Sequence, residues 1–208
     1  MIIVSATSNE HKLKEIKDIL SGLPVRLLSL KDFPSLFLPA ECGNSYEENA
    51  LLKARQVFYF TNFPSLADDT GIEVEALGGR PGIFSSRYAE SDAERRKKLL
   101  AELKGIPWEK RRARFVCVVA FVSLEGEHLF RGEVSGYIAF EERGANGFGY
   151  DPVFFLPEVG RTYGEMTEEE KNRLSHRFYA LNQFRQWLGS GLAITHSPPA
   201  AIKSELDG

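Results

Sequence analysis

The spacing of hydrophobic and polar positions switches repeatedly between a strand period and a helix period. Ile2 to Ser5 is a brief β-branched run that stops at the polar turn Ala6-Thr7-Ser8-Asn9. From there to about Leu20, Leu13, Ile16, Ile19 and Leu20 share one stripe, which predicts a helix. Val25 to Leu30 reads as a second strand and Phe33 to Pro39 as a loop. Ser45-x-x-Glu48 has capping-box spacing and opens a helix to about Phe60, with Ala50, Ala54 and Val57, then Leu51 and Phe58, turned inward.

The stretch from Ser65 to Ala89 organises the rest. A short apolar run, Ser65 to Ala67, ends in Asp68 and Asp69. Thr70-Gly71 is expected to turn the chain into Ile72 to Ala76, whose alternation predicts a half-buried strand. Gly78 to Gly82 follows as a loop. Ser91-x-x-Glu94 caps a charged helix from Asp92 to Lys104, stopped by Gly105 and Pro107. Ala113 to Val122 is almost continuously apolar, as in a strand covered on both faces. Gly126 punctuates a hairpin into His128 to Phe130 and Glu133 to Phe140. After the glycine-rich loop Gly144 to Pro152 come a short strand, Val153 to Leu156, and a helix capped by Thr167 and Glu170. Ser175-His176-Arg177 opens the last helix, through Leu181, Phe184 and Leu188, with Gly189 at its end. The pattern predicts an α/β fold with a mixed β-sheet flanked by helices.

At 208 residues the chain suffices for one domain, or one domain with two lobes, and a sizeable core. Residues 1–188 are expected to form that domain, and the small, polar, proline-bearing stretch 189–208 a flexible tail. With 43% hydrophobic and 26% charged residues the composition is that of a soluble globular protein, without a membrane-length apolar run or a signal peptide. Cys42 and Cys117 form no disulfide framework, which favours a reducing cytoplasm. A net charge of −3 gives no global attraction to nucleic acid, and the run Arg95 to Lys98 lies on an acid-balanced helix. Nucleic-acid and membrane partners are therefore not expected.

Three features carry candidate chemistry. Strand, polar turn and helix start at Thr7-Ser8-Asn9 point backbone N–H groups at an anion, although plain N-capping accounts for the same residues. Lys12, in the first turn, is disfavoured by the helix dipole unless an anion answers it. Asp68 and Asp69 are either acids for a metal or a solvated turn. The alternating glycines and aromatics from Gly147 to Tyr150 either offer a stacking surface for a base or make a bulged hairpin. By themselves Glu41 carries no signal, Lys53 reads as a solvated face residue and His176-Arg177 as surface. A nucleoside triphosphate would use all of these: lysines and amides for phosphates, carboxylates for Mg²⁺, aromatics for the base.

Six motifs then occur in order: Thr7-Ser8-Asn9-x-x-Lys12, Glu48-Asn49-Ala50-x-x-Lys53-Ala54, Ala67-Asp68-Asp69-Thr70-Gly71, Pro81-Gly82 to Ser86-Arg87-Tyr88, Gly147 to Pro152, and Ser175-His176-Arg177. Together they closely resemble the inosine triphosphate pyrophosphatase family of house-cleaning enzymes, over about residues 2 to 188. The resemblance implies an elongated mixed sheet, two lobes around a central cleft, a homodimer, and Mg²⁺-dependent hydrolysis of ITP, dITP or XTP to the monophosphate and pyrophosphate. It implies that Thr7, Ser8, Asn9, Glu10, His11 and Lys12 form the phosphate-binding turn and that Lys53 contacts the triphosphate. Glu41 resembles a Mg²⁺-binding acid, Asp69 the metal-linked acid or general base, and Thr70 a substrate contact. Phe148, Gly149, Tyr150, Asp151, Lys171, His176 and Arg177 match base-recognition positions, with Arg177 a candidate donor to a 6-oxo group. Ser8 stands where the family usually has glycine, and Phe178 where a small residue is common. Two other functions fit the same residues: a pyrophosphatase of modified pyrimidine nucleotides, and a nucleotide-binding regulator without turnover.

Overall fold

In the computed structural model, which describes residues 1–191, one mixed sheet of eight strands carries five α-helices. The strands are β1 (Ile2–Ser5), β2 (Arg26–Leu28), β3 (Ser65–Val74), β4 (Pro81–Gly82), β5 (Arg112–Ser123), β6 (Gly126–Ile138), β7 (Phe154–Leu156) and β8 (Arg161–Thr162). The helices are α1 (Glu10–Ile19), α2 (Tyr46–Thr61), α3 (Asp92–Glu102), α4 (Glu168–Leu174) and α5 (His176–Gly191). The sheet runs β2-β1-β3-β5-β6-β7-β8, with β4 beside β3. β1 is parallel to β2 and β3, and the remaining pairs are antiparallel.

Strand alternation assigns the two faces. Ile3, Leu66, Cys117, Val119 and Phe121 pack against Ile16 and Ile19 of α1 and Leu181 and Phe184 of α5. Val4, Ala67, Val116, Val118, Ala120 and Val122 meet Ala50, Ala54 and Val57 of α2. β5 is thus covered on both sides, as its continuous apolar run predicts. Beyond α1 and α5, a third cluster joins Leu99 of α3 and Leu103, which caps its end, to Phe115, Ile138, Tyr150, Phe154 and Tyr163.

Three expectations are corrected. Asp68 to Gly71 is not a turn: β3 is one strand, paired with β5 in unbroken register from Ser65↔Val122 to Val74↔Ala113. Gly71 is a glycine for space, since a Cβ there would lie 2.2 Å from the Gly82 carbonyl oxygen and 2.7 Å from the Tyr46 hydroxyl. Gly132 likewise interrupts the pattern but not the strand; its missing side chain admits the His176 carbonyl oxygen, 2.1 Å from a would-be Cβ. β6 is therefore continuous, and α5 begins hard against it. Last, α5 passes Gly189 and reaches Gly191, so the expected tail starts within a helix, and the rest of it lies outside the described residues.

Gly71→Ala tests the close approach. Overpacking of this kind costs about 1–3 kcal/mol, and each kcal/mol shifts Tm by about 2–4 °C in a domain of this size. Thermal melting should show that loss; an unchanged Tm would mean that β4 and Tyr46 give way freely.

Candidate active site

The site lies at a gap in the sheet. β1 leaves β3 after Ser5↔Leu66, and β4 joins the same edge only at Ile72↔Gly82. Between them Ala67 to Gly71 have no strand on that side, just beyond the carboxyl end of β1, where open α/β sheets place ligands. Because successive side chains point to opposite faces, Asp68 is turned to α1 and α5, and Asp69 to α2.

On the α2 side Lys53 is 6% exposed, not solvated. Its ammonium donates to Glu41 Oε1 at 2.6 Å, the Asp68 carbonyl at 2.8 Å and Asp69 Oδ1 at 3.3 Å. Asn49 Nδ2 donates to Asp69 Oδ2 at 3.3 Å. Asn49 and Lys53 lie four residues apart on one face of α2, and Ser45 opens the helix by accepting from Glu48 N. Glu48 does not close the box; it accepts from Asn44 N instead, tying down the end of the loop that carries Glu41. Arg87 holds that loop from the other side, donating to the Glu41 carbonyl at 2.8 Å. Burial, together with the Glu41 and Asp68 charges, pushes Asp69 up to about 6 against the pull of Lys53 and Lys12. Burial resists the charge on Lys53, but Asp69, Asp68 and Glu41 raise its pKa and keep it an ammonium.

The opposite face is a closed ionic cluster. Lys12 pairs with Asp68 Oδ2 at 2.9 Å, so the anion that answers this first-turn cation in the structure is internal. Asn9 caps α1 by accepting from Lys12 N, and Thr7 Oγ1 accepts from Asn9 N. Ser8 has no left-handed backbone, since Asn62 is the one non-glycine with positive φ among the described residues. Arg177, 1% exposed, donates to Asp68 Oδ2 at 3.2 Å, to Thr70 Oγ1 at 3.3 Å and to Glu15. Lys171 bridges Glu15 at 2.9 Å and Asp151 at 2.7 Å. Although burial opposes it, the Lys12 and Arg177 charges hold Asp68 far below the usual carboxylate range.

The glycine-rich loop closes this side. Asp151 Oδ2 accepts from Phe148 N at 2.8 Å, and the Phe148 ring stacks on His11 with centroids 5.2 Å apart. Lys171 Nζ lies 4.5 Å from the ring centroid. A cavity between α1, this loop and α4 is lined by His11, Glu15, Phe148, Thr167, Lys171 and Asn172, among others. His176 is buried against Phe115, ring centroids 4.4 Å apart, and burial with the Arg177 and Lys171 charges drives its pKa well below 6.5. Its two ring nitrogens have no hydrogen-bond partner among the described residues.

The structure thus joins Lys12, Glu41, Lys53, Asp69, Thr70, Phe148, Asp151, Lys171 and Arg177 in one network. Tyr150 instead turns away into the core, its hydroxyl donating to the Ser85 carbonyl. Glu10 also points elsewhere, pairing with Lys31 at the surface. Arg177 is not a free donor for a base edge, because its guanidinium is engaged by Glu15, Asp68 and Thr70. Phe178 packs into the α1–α5 cluster. Sequence reasoning missed Glu15, although an acid beside the apolar stripe of α1 was a visible signal, left Asp68 as either a metal acid or a solvated turn residue, and gave Asn49 no role.

The donor set suits a hard divalent cation. Glu41 and Asp69 each place an oxygen on one ammonium, so both face the same small volume, and Mg²⁺ needs only one or two protein carboxylates. Among the described residues, no group of three His, Cys, Asp or Glu side chains converges in the manner of a metal cage. No helix of the described residues is long and apolar enough to cross a membrane.

A strand-edge gap with facing acids, helix-borne lysines and an aromatic loop defines an α/β protein built to hold an anionic, ring-bearing ligand. Residues 3–187 match the Ham1 family, and the chain belongs to that family. It is 47% identical over 191 residues to the dITP/XTP pyrophosphatase of Geobacter sulfurreducens, covering 90% of this chain and 96% of that one. It is 43% identical over 210 residues to the dITP/XTP pyrophosphatase of Thermus thermophilus, covering 100% and 98%. A HAM1 protein structure from Coxiella burnetii superposes with a TM-score of 0.85 at 40% identity, over 91% of this chain and 99% of that one. The Staphylococcus aureus Ham1 protein does so with a TM-score of 0.82 at 37% identity and the same coverage.

Proposed function

We propose that the protein is a Mg²⁺-dependent pyrophosphohydrolase that converts ITP, dITP and XTP to the monophosphate and pyrophosphate. The observation that carries this reading is the Glu41–Lys53–Asp69 constellation opposite Lys12 at the sheet gap. The dITP/XTP pyrophosphatase names of relatives at 42–47% identity supply the substrate class.

Glu41 and Asp69 would hold the Mg²⁺, which when bound would supply charge neutralisation for the triphosphate. Lys12, Lys53 and the amides at the start of α1 bind the triphosphate, the lysines turning from internal carboxylates to phosphate oxygens. Asp69 Oδ takes a proton from the attacking water, whose oxygen joins one phosphorus of the α–β anhydride while the bridging oxygen leaves with the other. Burial and the neighbouring Glu41 and Asp68 carboxylates raise the basicity of Asp69, which suits it to that transfer. Phe148 stacks on the base. Lys171, which lines the cavity beside Phe148, and His176 are the candidate donors to its edge, and Thr70 lies beside the phosphates. Arg177 holds Glu15, Asp68 and Thr70 in place and acts on the base through them. Donors at that edge accept a 6-oxo group and reject the 6-amino group of adenine; GTP is excluded at its 2-amino group. In keeping with the family resemblance, the enzyme works as a cytoplasmic homodimer.

Pyrophosphate release at matched Mg²⁺ tests the reading. The kcat/KM for ITP and XTP should exceed that for ATP by at least about ten- to a hundredfold, the effect of one buried unpaired polar group. Equal values for ITP and ATP, or faster turnover of a modified pyrimidine triphosphate, would overturn it.

A further inference from the structure

The basic run on α3 has no part in the site described above, yet one of its residues reaches the base-binding loop. Asp92 and Arg96 are four residues apart, on one face of α3. Asp92 Oδ2 accepts from Gly149 N at 2.8 Å, and Arg96 Nη1 donates to the Gly149 carbonyl at 2.9 Å. Both backbone polar groups of a single loop residue are therefore held by one helical turn. That residue adjoins Phe148, whose own N–H is fixed by Asp151. Arg96 also pairs with Glu142 at 2.9 Å, and Arg95 braces Asp92 at 2.6 Å. α3 is itself anchored: Ser91 and Glu94 form a complete capping box, and Leu99 and Leu103 are in the core. Residues 141–147 are exposed, and their ties run to other elements, Arg143 N to the Pro152 carbonyl at 2.8 Å and Asn146 N to the Gly164 carbonyl at 3.0 Å, so Gly149 is the point at which α3 holds the loop. Gly149 has a φ of +60°, a left-handed backbone that both side chains grip.

We propose that Asp92 and Arg96 are positioning residues that clamp Gly149 and thereby set the plane of Phe148 for the purine. The inference rests on the reading of Phe148 as the base-stacking residue. Without the clamp the ring has more orientations to lose on binding, so affinity for the base falls while the phosphate end, built on α1 and α2, is untouched. The basic character of the run is then explained without nucleic acid: Arg95 and Arg96 are turned to loop carbonyls and carboxylates.

The test compares Asp92→Ala, Arg96→Ala, Asp92→Asn and, as a control on the exposed side of the same basic run, Lys97→Ala. Loss of one such hydrogen bond should raise KM for ITP roughly three- to tenfold in the two clamp variants. The inhibition constant of inorganic tripolyphosphate, which has no base, should stay at the wild-type value. Asp92→Asn keeps an acceptor for Gly149 N and should restore the wild-type KM, and Lys97→Ala should not change it. Hydrogen exchange of the Phe148 and Gly149 amides in the substrate-free protein should quicken in Asp92→Ala and Arg96→Ala whether or not the substrate reading holds. Faster exchange with an unchanged KM would overturn the positioning role. So would a joint rise in KM and the tripolyphosphate constant, which marks a general loss of structure. Failure of the wild type to hydrolyse ITP would instead overturn the reading of Phe148 on which the clamp depends.

Discussion

Asp69→Asn should lower turnover by about two to four powers of ten, the usual range for removing a positioned acid or base. The same substitution should raise, not lower, thermal stability at neutral pH. Burial and two neighbouring carboxylates push Asp69 up to about 6, above its unfolded value. A group shifted this way binds its proton more tightly when folded, so stability falls as pH rises from about 4 to about 6 and stays lower above that. A neutral amide removes the penalty. A shift of about two pKa units corresponds to at most about 3 kcal/mol, or several degrees in Tm. Melting curves at pH 5 and pH 8 check the sign: the gain over wild type should be larger at pH 8. In the wild type, kcat/KM should fall as Asp69 gains its proton on acidification, at a pH that rises toward about 6 as Mg²⁺ is lowered. Near-normal hydrolysis by Asp69→Asn at saturating Mg²⁺ would remove the residue from the mechanism.

Asp68→Asn, one position earlier on the same strand, should do the opposite to stability. Asp68 is fully enclosed with Lys12 and Arg177. The cluster around it balances three carboxylates, Glu15, Asp68 and Asp151, against three cations, Lys12, Lys171 and Arg177. Taking one charge from a buried, paired set costs about 3–5 kcal/mol, because the partners are left without compensation. Asp68 is depressed in the fold, so its contribution is present above the unfolded value near about 4 and is lost as pH falls below it. The deficit of Asp68→Asn should therefore be full at pH 7 and shrink below about pH 4. Urea denaturation across that range measures it. An undiminished midpoint at pH 7 would mean that Lys12 and Arg177 find other partners or water.

The contrast between these two neighbours shows what was legible in the sequence. Local signals were read correctly: the β-branched opening of β1, the stripe of α1, the continuous apolar run of β5, and the capping boxes of α3 and α4. Each depends on residues within one turn or one strand. β3 was cut at Gly71 because the usual reason for a glycine is a turn, whereas here the reason is the approach of Gly82 and Tyr46. Lys53 and Arg177 read as surface residues because their compensating partners are remote in sequence, and His176 because the Phe115 ring that covers it lies on another element. Arg177 meets Glu15 across 162 residues, and Lys171 meets the same acid across 156. Spacing cannot show that two acids on adjacent residues will face opposite sides of a sheet until the strand is known to be unbroken. The order of the six motifs supplied what local spacing could not for Lys12, Lys53 and Asp69, whereas Glu41 lies outside those motifs and entered only through the family resemblance.

The central claim is that the acids and lysines at the sheet gap cut the α–β anhydride of a 6-oxo purine triphosphate. Phosphorus NMR of one reaction tests it most directly, following ITP with Mg²⁺ and either the wild type or Asp69→Asn. The account predicts that the triphosphate signals of ITP give way to those of IMP and pyrophosphate with the wild type, and persist with the variant. IDP and orthophosphate as products, or equal conversion by both proteins, would contradict it.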